Sequence, residues 1–228
     1  MENYKTLTVE KIEKVIDSKN SASLMECIKS LEIKAVPIGE GGNAIVYAAL
    51  GTAFEKVCLK RIKEKPQIIF NDIEQEHDFQ VKAQEAGVRT PLSLLSINTD
   101  YGKYLIMERI IGHSVGEIVK DPDLLPKNFD TKKFCESLDE QISKMHKHGI
   151  YHRDLHENNV MIDDKDGLPV FIDFGTATEG TGSNYTYSES VSMYDPIKGR
   201  YTLAYGFFKD DLMMIRNIKS SINKLILR

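Results

Sequence analysis

Apolar residues recur three and four apart in some stretches of this chain and alternate with polar ones in others, and that change of period predicts its elements. Over residues 1–31 the spacing predicts two helices. Thr8 would cap the first, Val9 to Asp17, with Ile12, Val15 and Ile16 on one side, and Ser23 would cap the second, through Leu24, Ile28 and Leu31. From Ile33 to Ile62 short apolar runs alternate with Gly-rich turns, which predicts a β-sheet. Ile73, Glu76, Phe79 and Ala83 share one face of a helix over 71–86. Strand-like runs return over 91–109, turning at Asn98–Gly102. A helix over 131–148 turns Phe134, Leu138, Ile142 and Met145 inward, and strands at 160–162 and 170–172 flank an Asp164–Gly167 turn. Residues 176–205, rich in Ser, Thr, Tyr and Gly, read as a long mobile loop, and a last helix spans about 209–226.

Composition narrows the class. The chain has 228 residues, 41% hydrophobic and 28% charged, as in an ordinary globular protein. A net charge of −4 gives no basic field for nucleic acid or an anionic membrane, and no apolar run approaches the ~20 residues of a membrane span. Cys27, Cys58 and Cys135 are scattered and odd in number, which predicts reduced thiols rather than a disulfide or zinc framework. The start, Met1 to Lys5, lacks the apolar stretch of a secretory signal, so the expected location is cytoplasmic.

Chemistry concentrates in the second half. His152-Arg153-Asp154 is followed by Asn159, and Asp173-Phe174-Gly175 comes after a strand–turn–strand stretch. Asp154 supplies a carboxylate that can take a proton from a hydroxyl, and Asn159 and Asp173 supply oxygen ligands for Mg²⁺. Earlier, Gly39-Glu40-Gly41-Gly42 forms a turn whose backbone N–H groups can approach phosphates with no Cβ in the way. Val57-Cys58-Leu59-Lys60 follows on a strand. Glu76 shares a helix face with apolar residues, where a carboxylate needs a partner; Lys60 is the natural one, with Glu76 preferred to Glu74.

In this order, and with Met107-Glu108-Arg109-Ile110 between them, these segments resemble the protein-kinase-like family over about residues 33–215. The resemblance implies an α+β, two-lobed fold: a β-rich N-lobe (33–108), a truncated helical C-lobe (109–228) and an N-terminal helical extension (1–32). It implies ATP and Mg²⁺ as cofactors. Gly39, Gly41 and Gly42, with Val46 on the next strand, would contact the nucleotide. Lys60, aligned by Glu76, would hold its phosphates. Met107 would stand behind the adenine, and the backbone of Glu108 and Ile110 would bond its edge. Asp154 would orient the attacking hydroxyl and accept its proton, and Asn159 and Asp173 would ligate the metal.

The chain departs from the family pattern at three places. Ala44 stands at the third glycine of the Gly-rich loop and Asn43 at its tip. His156 stands two after Asp154 in place of a lysine, as in aminoglycoside and choline phosphotransferases, and can donate to a γ-phosphate oxygen. No Ala-Pro-Glu follows the 176–205 loop, so the helical platform for peptide substrates would be missing. Asp211 either braces the catalytic loop or, with Asp210, favours a helix N-terminus. Thr181, Ser183, Thr186, Ser188, Ser190 and Ser192 are either autophosphorylation sites that Arg153 could pair with or loop filler. The expected activity is phosphorylation of a protein Ser/Thr hydroxyl by a monomer that finds substrates through an activating or docking protein. A secreted effector in a host cytosol is an alternative setting. The rivals are a small-molecule hydroxyl kinase and a non-catalytic kinase-like binding module.

Overall fold

The computed structural model describes residues 4–15, 30–50, 56–64, 66–69, 71–180, 190–195, 200–205 and 210–226. Described residues within 1–77, 92–109 and 187–206 make one compact unit, and those within 78–91, 110–186 and 207–228 make a second.

The first unit is built on seven antiparallel strands, β1 (Tyr4–Val15), β2 (Ser30–Lys34), β3 (Gly39–Glu40), β4 (Ala44–Ala48), β5 (Val57–Ile62), β7 (Ser93–Thr99) and β8 (Gly102–Glu108). They run in the order β2-β1-β7-β8-β5-β4-β3. The sheet curls until β2 meets the far end of β4: Ile33 bridges Ala49, and the Leu50 N–H donates to the Glu32 carbonyl at 2.8 Å. Alternate residues therefore face a closed interior, where Leu7, Leu31, Leu59, Leu95, Ile97 and Ile106 are fully buried.

Residues 4–15 correct the sequence reading. The helix expected from Val9 to Asp17 is strand over its described part, and the expected helical extension supplies two strands of the sheet. The reason is geometric. The register of β1 on β7 shifts between Val9 and Lys11 and again between Ile12 and Lys14. Each bulge adds a residue, so positions three apart in sequence return to the same face of the strand. Val9 and Ile12 pack on the same core, as they would on a helix. Thr8 caps nothing. Its N–H donates to the Asp100 carboxylate at 3.1 Å, and its carbonyl accepts from the Asp100 N–H. The second expected helix lies outside the described residues except at its end, where Leu31 sits in β2.

The loop expected over 176–205 is also corrected. β13 (Thr178–Glu179) pairs with β10 (Ile150–Tyr151), and β14 (Ser190–Asp195) and β15 (Arg200–Tyr205) form a hairpin. β14 lies in turn on β6 (Ile68–Ile69), with Ser192 opposite Ile69 and Met193 opposite Ile68. Val191, Tyr194, Tyr201, Thr202 and Tyr205 are residue types enriched in strands, a signal that the polar composition obscures. This pairing places the hairpin with the first unit, so the simple division at Glu108 does not hold. Helix α1 (Ile73–Glu85) crosses the boundary after His77, because Phe79 and Ala83 belong to the second core.

That core is gathered around α3 (Thr131–Lys147), capped by Asp130, with Phe134, Leu138, Ile142 and Met145 inward as expected. The short helix α2 (Val115–Lys120), closed by a Ser114–Glu117 capping box, follows β9 (Gly112–Ser114). β9, β11 (Val160–Asp163) and β12 (Pro169–Phe171) make a small sheet, and α4 (Asp211–Ile226) adds Ile215, Ile218 and Ile222 to the core.

Leu7→Ala is expected to lower the unfolding free energy by about 2–4 kcal/mol, while Tyr4→Ala, on an exposed position of the same strand, changes it by under about 0.5 kcal/mol. Urea denaturation of the two variants checks this; equal, small effects would mean that β1 is not part of the closed sheet.

Candidate active site

In the first unit the Gly-rich turn is a hairpin tip. Gly39 pairs with Val46 and Glu40 with Ile45, and the Gly41 N–H donates to the Ala44 carbonyl at 3.0 Å. Gly41 is exposed, and a Cβ there would meet nothing within 4 Å. An incoming group can reach this backbone. Val46 lies opposite Lys60 across the next strand pair.

Lys60 and Glu76 come together as expected. Their Nζ and Oε1 atoms are 2.5 Å apart, with side chains 6% and 2% exposed. The start of α1 sets this geometry. Asp72 caps the helix, its carboxylate accepting from the Gln75 N–H at 2.8 Å while the Gln75 side chain accepts from the Asp72 N–H at 3.0 Å. The first turn is thereby fixed, and Glu76 points inward. Glu74, two residues earlier, falls on another face and pairs with Lys103 at 2.6 Å.

Met107 lies between Cys58 of β5 and Ser93 of β7. The Glu108 carboxylate turns back on its own sheet and accepts from the Leu92 N–H at 3.0 Å, while its carbonyl accepts from the Cys58 thiol at 3.6 Å. Burial pushes that thiol up to about 12, against the pull of Arg109, so Cys58 stays protonated. Ile110 is the first residue of the 110–186 segment of the second unit.

In the second unit one carboxylate organises the loop that carries Asp154. Asp211, 3% exposed, accepts from the His152 N–H and the Arg153 N–H, both at 2.9 Å, and from His146 Nε2–H at 3.1 Å. Arg153 takes a left-handed conformation, φ +70°, and its Nε–H donates to the Thr178 hydroxyl at 2.7 Å. The neighbouring Asp210 caps α4 through the Met213 N–H at 2.8 Å. The two roles weighed for this acidic pair are thus divided: Asp210 starts the helix and Asp211 braces the loop.

His152 is a structural histidine. Its Nε2–H donates to the Ile172 carbonyl at 3.0 Å, and its ring stacks on Phe174 at 4.7 Å between centroids. Burial, more than any nearby charge, holds its pKa below the ordinary value, so the ring is neutral.

Asp154, Asn159 and Asp173 collect at one end of the β11–β12 hairpin. The Ile172 N–H donates to the Asn159 carbonyl at 3.0 Å, which extends the Val160–Phe171 pairing by one step and brings Asp173 beside Asn159. Asn159 Nδ2 donates to the Asp154 carbonyl at 2.9 Å, which fixes the amide and leaves Oδ1 as its acceptor. Asp173 also has a left-handed backbone, φ +67°, and its carboxylate accepts from the Gly175 N–H at 3.3 Å. One amide oxygen and one carboxylate are hard donors of the kind Mg²⁺ takes, with phosphate and water completing its shell. No cluster of three or more His, Cys, Asp or Glu residues suited to a metal occurs among the described residues. His156 stands beside Asp154. Its Nδ1 accepts from the Asn158 N–H at 3.1 Å and its Nε2 lies 3.7 Å from Asp154 Oδ2. The ring therefore faces the carboxylate that it follows.

Sequence reasoning missed Thr176 and Thr178. The Thr176 hydroxyl donates to the His152 carbonyl at 3.1 Å. Both sit just past Gly175, and only the strand pairing of β13 with β10 reveals why a hydroxyl is needed there. The loop hydroxyls Thr181, Ser183, Thr186 and Ser188 lie outside the described residues.

A family model described as protein kinase domain matches residues 33–195. A probable serine/threonine-protein kinase of Clostridium acetobutylicum is 26% identical over 68% of the chain and 23% of its own length. Serine/threonine-protein kinase PrkC of Bacillus subtilis is 30% identical over 68% of the chain and 24% of its own length. A probable bifunctional tRNA threonylcarbamoyladenosine biosynthesis protein of Methanococcus maripaludis is 30% identical over 66% of the chain and 26% of its own length. The chain thus spans about a quarter of the length of these relatives.

Two outcomes are expected. Lys60→Met removes the cation 2.5 Å from the buried Glu76 carboxylate and costs about 3–5 kcal/mol, most of which Lys60→Met with Glu76→Leu restores, as denaturant unfolding would show. Unfolded, the His152 imidazole titrates near 6.5; folded, it titrates lower. Below 6.5 the unfolded chain binds a proton that the folded chain refuses, so this contribution to stability is full above that pH and declines as pH falls through it. Melting temperatures recorded from about pH 7.5 to 5.5 should fall, and His152→Gln should flatten the slope.

Proposed function

The chain belongs to the protein kinase domain family, and on that premise we propose that it transfers the γ-phosphoryl group of ATP, with Mg²⁺, to a Ser or Thr hydroxyl of a protein. The observation that carries the reading is the buried Lys60–Glu76 pair. Removing two charges from water is costly, and apolar residues of similar size would serve a purely structural sheet as well or better. A lysine held in place by such a carboxylate is suited to neutralising phosphate oxygens. That argues against a non-catalytic binding module.

On this reading each remaining group has a role. Gly41 offers an exposed backbone to phosphate. The Asn159 amide oxygen and the Asp173 carboxylate would hold the metal, which would neutralise charge on the phosphates. Asp154 orients the acceptor hydroxyl in line with the γ-phosphorus. As the new P–O bond forms and the bond to the bridging oxygen breaks, Asp154 takes the hydroxyl proton and ADP leaves. Positioning and charge neutralisation account for the catalysis, with no covalent intermediate. A protein acceptor brought by a docking partner fits the family, and the Ser/Thr kinases among the relatives favour Ser/Thr. No helix among the described residues is long and apolar enough to cross a membrane.

One observation favours a second reading, a small-molecule hydroxyl acceptor. His156, which stands against Asp154, replaces the lysine that serves peptide-directed kinases at this position.

The test is transfer of labelled γ-phosphate from ATP with Mg²⁺ to the protein itself and to a generic protein substrate. Asp154→Ala is expected to lower the rate about 10²–10⁴-fold, and Asp173→Ala to remove metal-dependent transfer. Equal labelling by wild type and both variants would sink the proposal. Labelling confined to small hydroxylated metabolites would select the second reading.

A further inference from the structure

The segment between β5 and α1 does more than connect them. It runs along the Gly-rich turn and holds it. The Lys63 N–H donates to the Asn43 carbonyl at 2.8 Å, and Lys63 Nζ pairs with the Glu40 carboxylate at 2.6 Å. The Gln67 N–H donates to the Gly42 carbonyl at 3.2 Å. Its side chain then folds over Gly42. A Cβ built at Gly42 would lie 2.3 Å from Gln67 Oε1 and 2.7 Å from its amide carbon. The carboxamide thus occupies the space that any side chain at position 42 would need. The next two residues, Ile68 and Ile69, pair with Met193 and Ser192, so Gln67 is backed by a strand rather than carried on a free loop.

We propose that Gln67 is a positioning residue for the nucleotide: packed on Gly42 and bonded to its carbonyl, it fixes the tip of the Gly-rich turn in the shape that receives the phosphates. This rests on the kinase reading for the identity of the ligand. It assigns Gly42 a reason distinct from that of Gly41. Gly41 leaves its backbone open to an incoming group, whereas Gly42 leaves room for a side chain of the same unit. Gln67 touches no reacting atom in this role, and its loss should loosen binding of the nucleotide without slowing the chemical step.

The contact makes a specific claim about two substitutions. Oε1 is the end of a flexible side chain, so Gly42→Ala would turn the carboxamide away at little cost to the fold. It should then reproduce the effect of Gln67→Ala. Once the carboxamide is gone, the added methyl has nothing left to displace. The two effects should therefore not multiply.

The experiment is a double-mutant cycle on the full chain, with Gln67→Ala, Gly42→Ala and the double variant. Its readouts are the Kd for a fluorescent ADP analogue with Mg²⁺, the KM and kcat for ATP, and hydrogen exchange over residues 39–46. Each single variant is expected to raise Kd and KM about three- to tenfold, with kcat within about twofold, and to speed exchange in the turn. The double variant should be no weaker than the weaker single one. Unchanged Kd, KM and exchange in Gln67→Ala would overturn the proposal and leave the kinase reading intact, as would effects that multiply. Nucleotide binding by wild type without transfer counts against the kinase reading alone, and the Kd cycle still decides on Gln67. A wild-type chain that binds no nucleotide overturns both.

Discussion

The second unit depends on a single buried carboxylate. Asp211 sits at the first turn of α4, almost closed to solvent, and receives two backbone N–H groups from the loop that carries Asp154. Hydrogen bonds to a charged acceptor contribute about 1.5–3 kcal/mol each, which suffices to hold Arg153 in a left-handed conformation that its side chain does not favour. With Arg153 fixed, the chain reverses, His152 turns into the core to reach the Ile172 carbonyl, and the loop arrives at the β11–β12 hairpin in register. The nearness of Asn159 to Asp173 then follows from ordinary strand pairing. The loop geometry is set from the start of a helix far along the chain, because a flexible loop has no local means of holding this shape.

The first unit solves a different problem. Its ion pair is almost closed to solvent, and the contact between the two charges offsets part of the cost of taking them out of water. The capped first turn of α1 keeps Glu76 within reach, while the pairing of β5 with β4 and β8 fixes the strand that carries Lys60. Stiffness here comes from the sheet, whereas in the second unit it comes from one polar hub.

Much of this was legible in the sequence. The spacing of Asp154 to Asn159 and the run around Asp173 carry their chemistry in short, local strings. The partnership of Lys60 with Glu76 could be inferred because an acid on an apolar helix face needs a cation. The elements that were misread failed for identifiable reasons. In β1, a bulge gives Val9 and Ile12 a helical spacing on an extended backbone, and nothing local distinguishes the two. In β14 and β15, the surrounding serines obscured a hairpin whose first strand also pairs with a distant one, Ile68 and Ile69. Gln67 carries no motif, and its role appears only in the space left by the missing side chain of Gly42.

Arg153 and Asp173 share a property with a longer reach. Both are non-glycine residues at positive φ, 70° and 67°, and they stand on either side of the β11–β12 hairpin. Glycine would trace the same path at either place with less steric conflict. Selection for a durable fold alone would therefore drift toward glycine and erase an arginine and a carboxylate in doing so. An arginine and an aspartate at these two positions thus carry a conformational cost that a glycine would not.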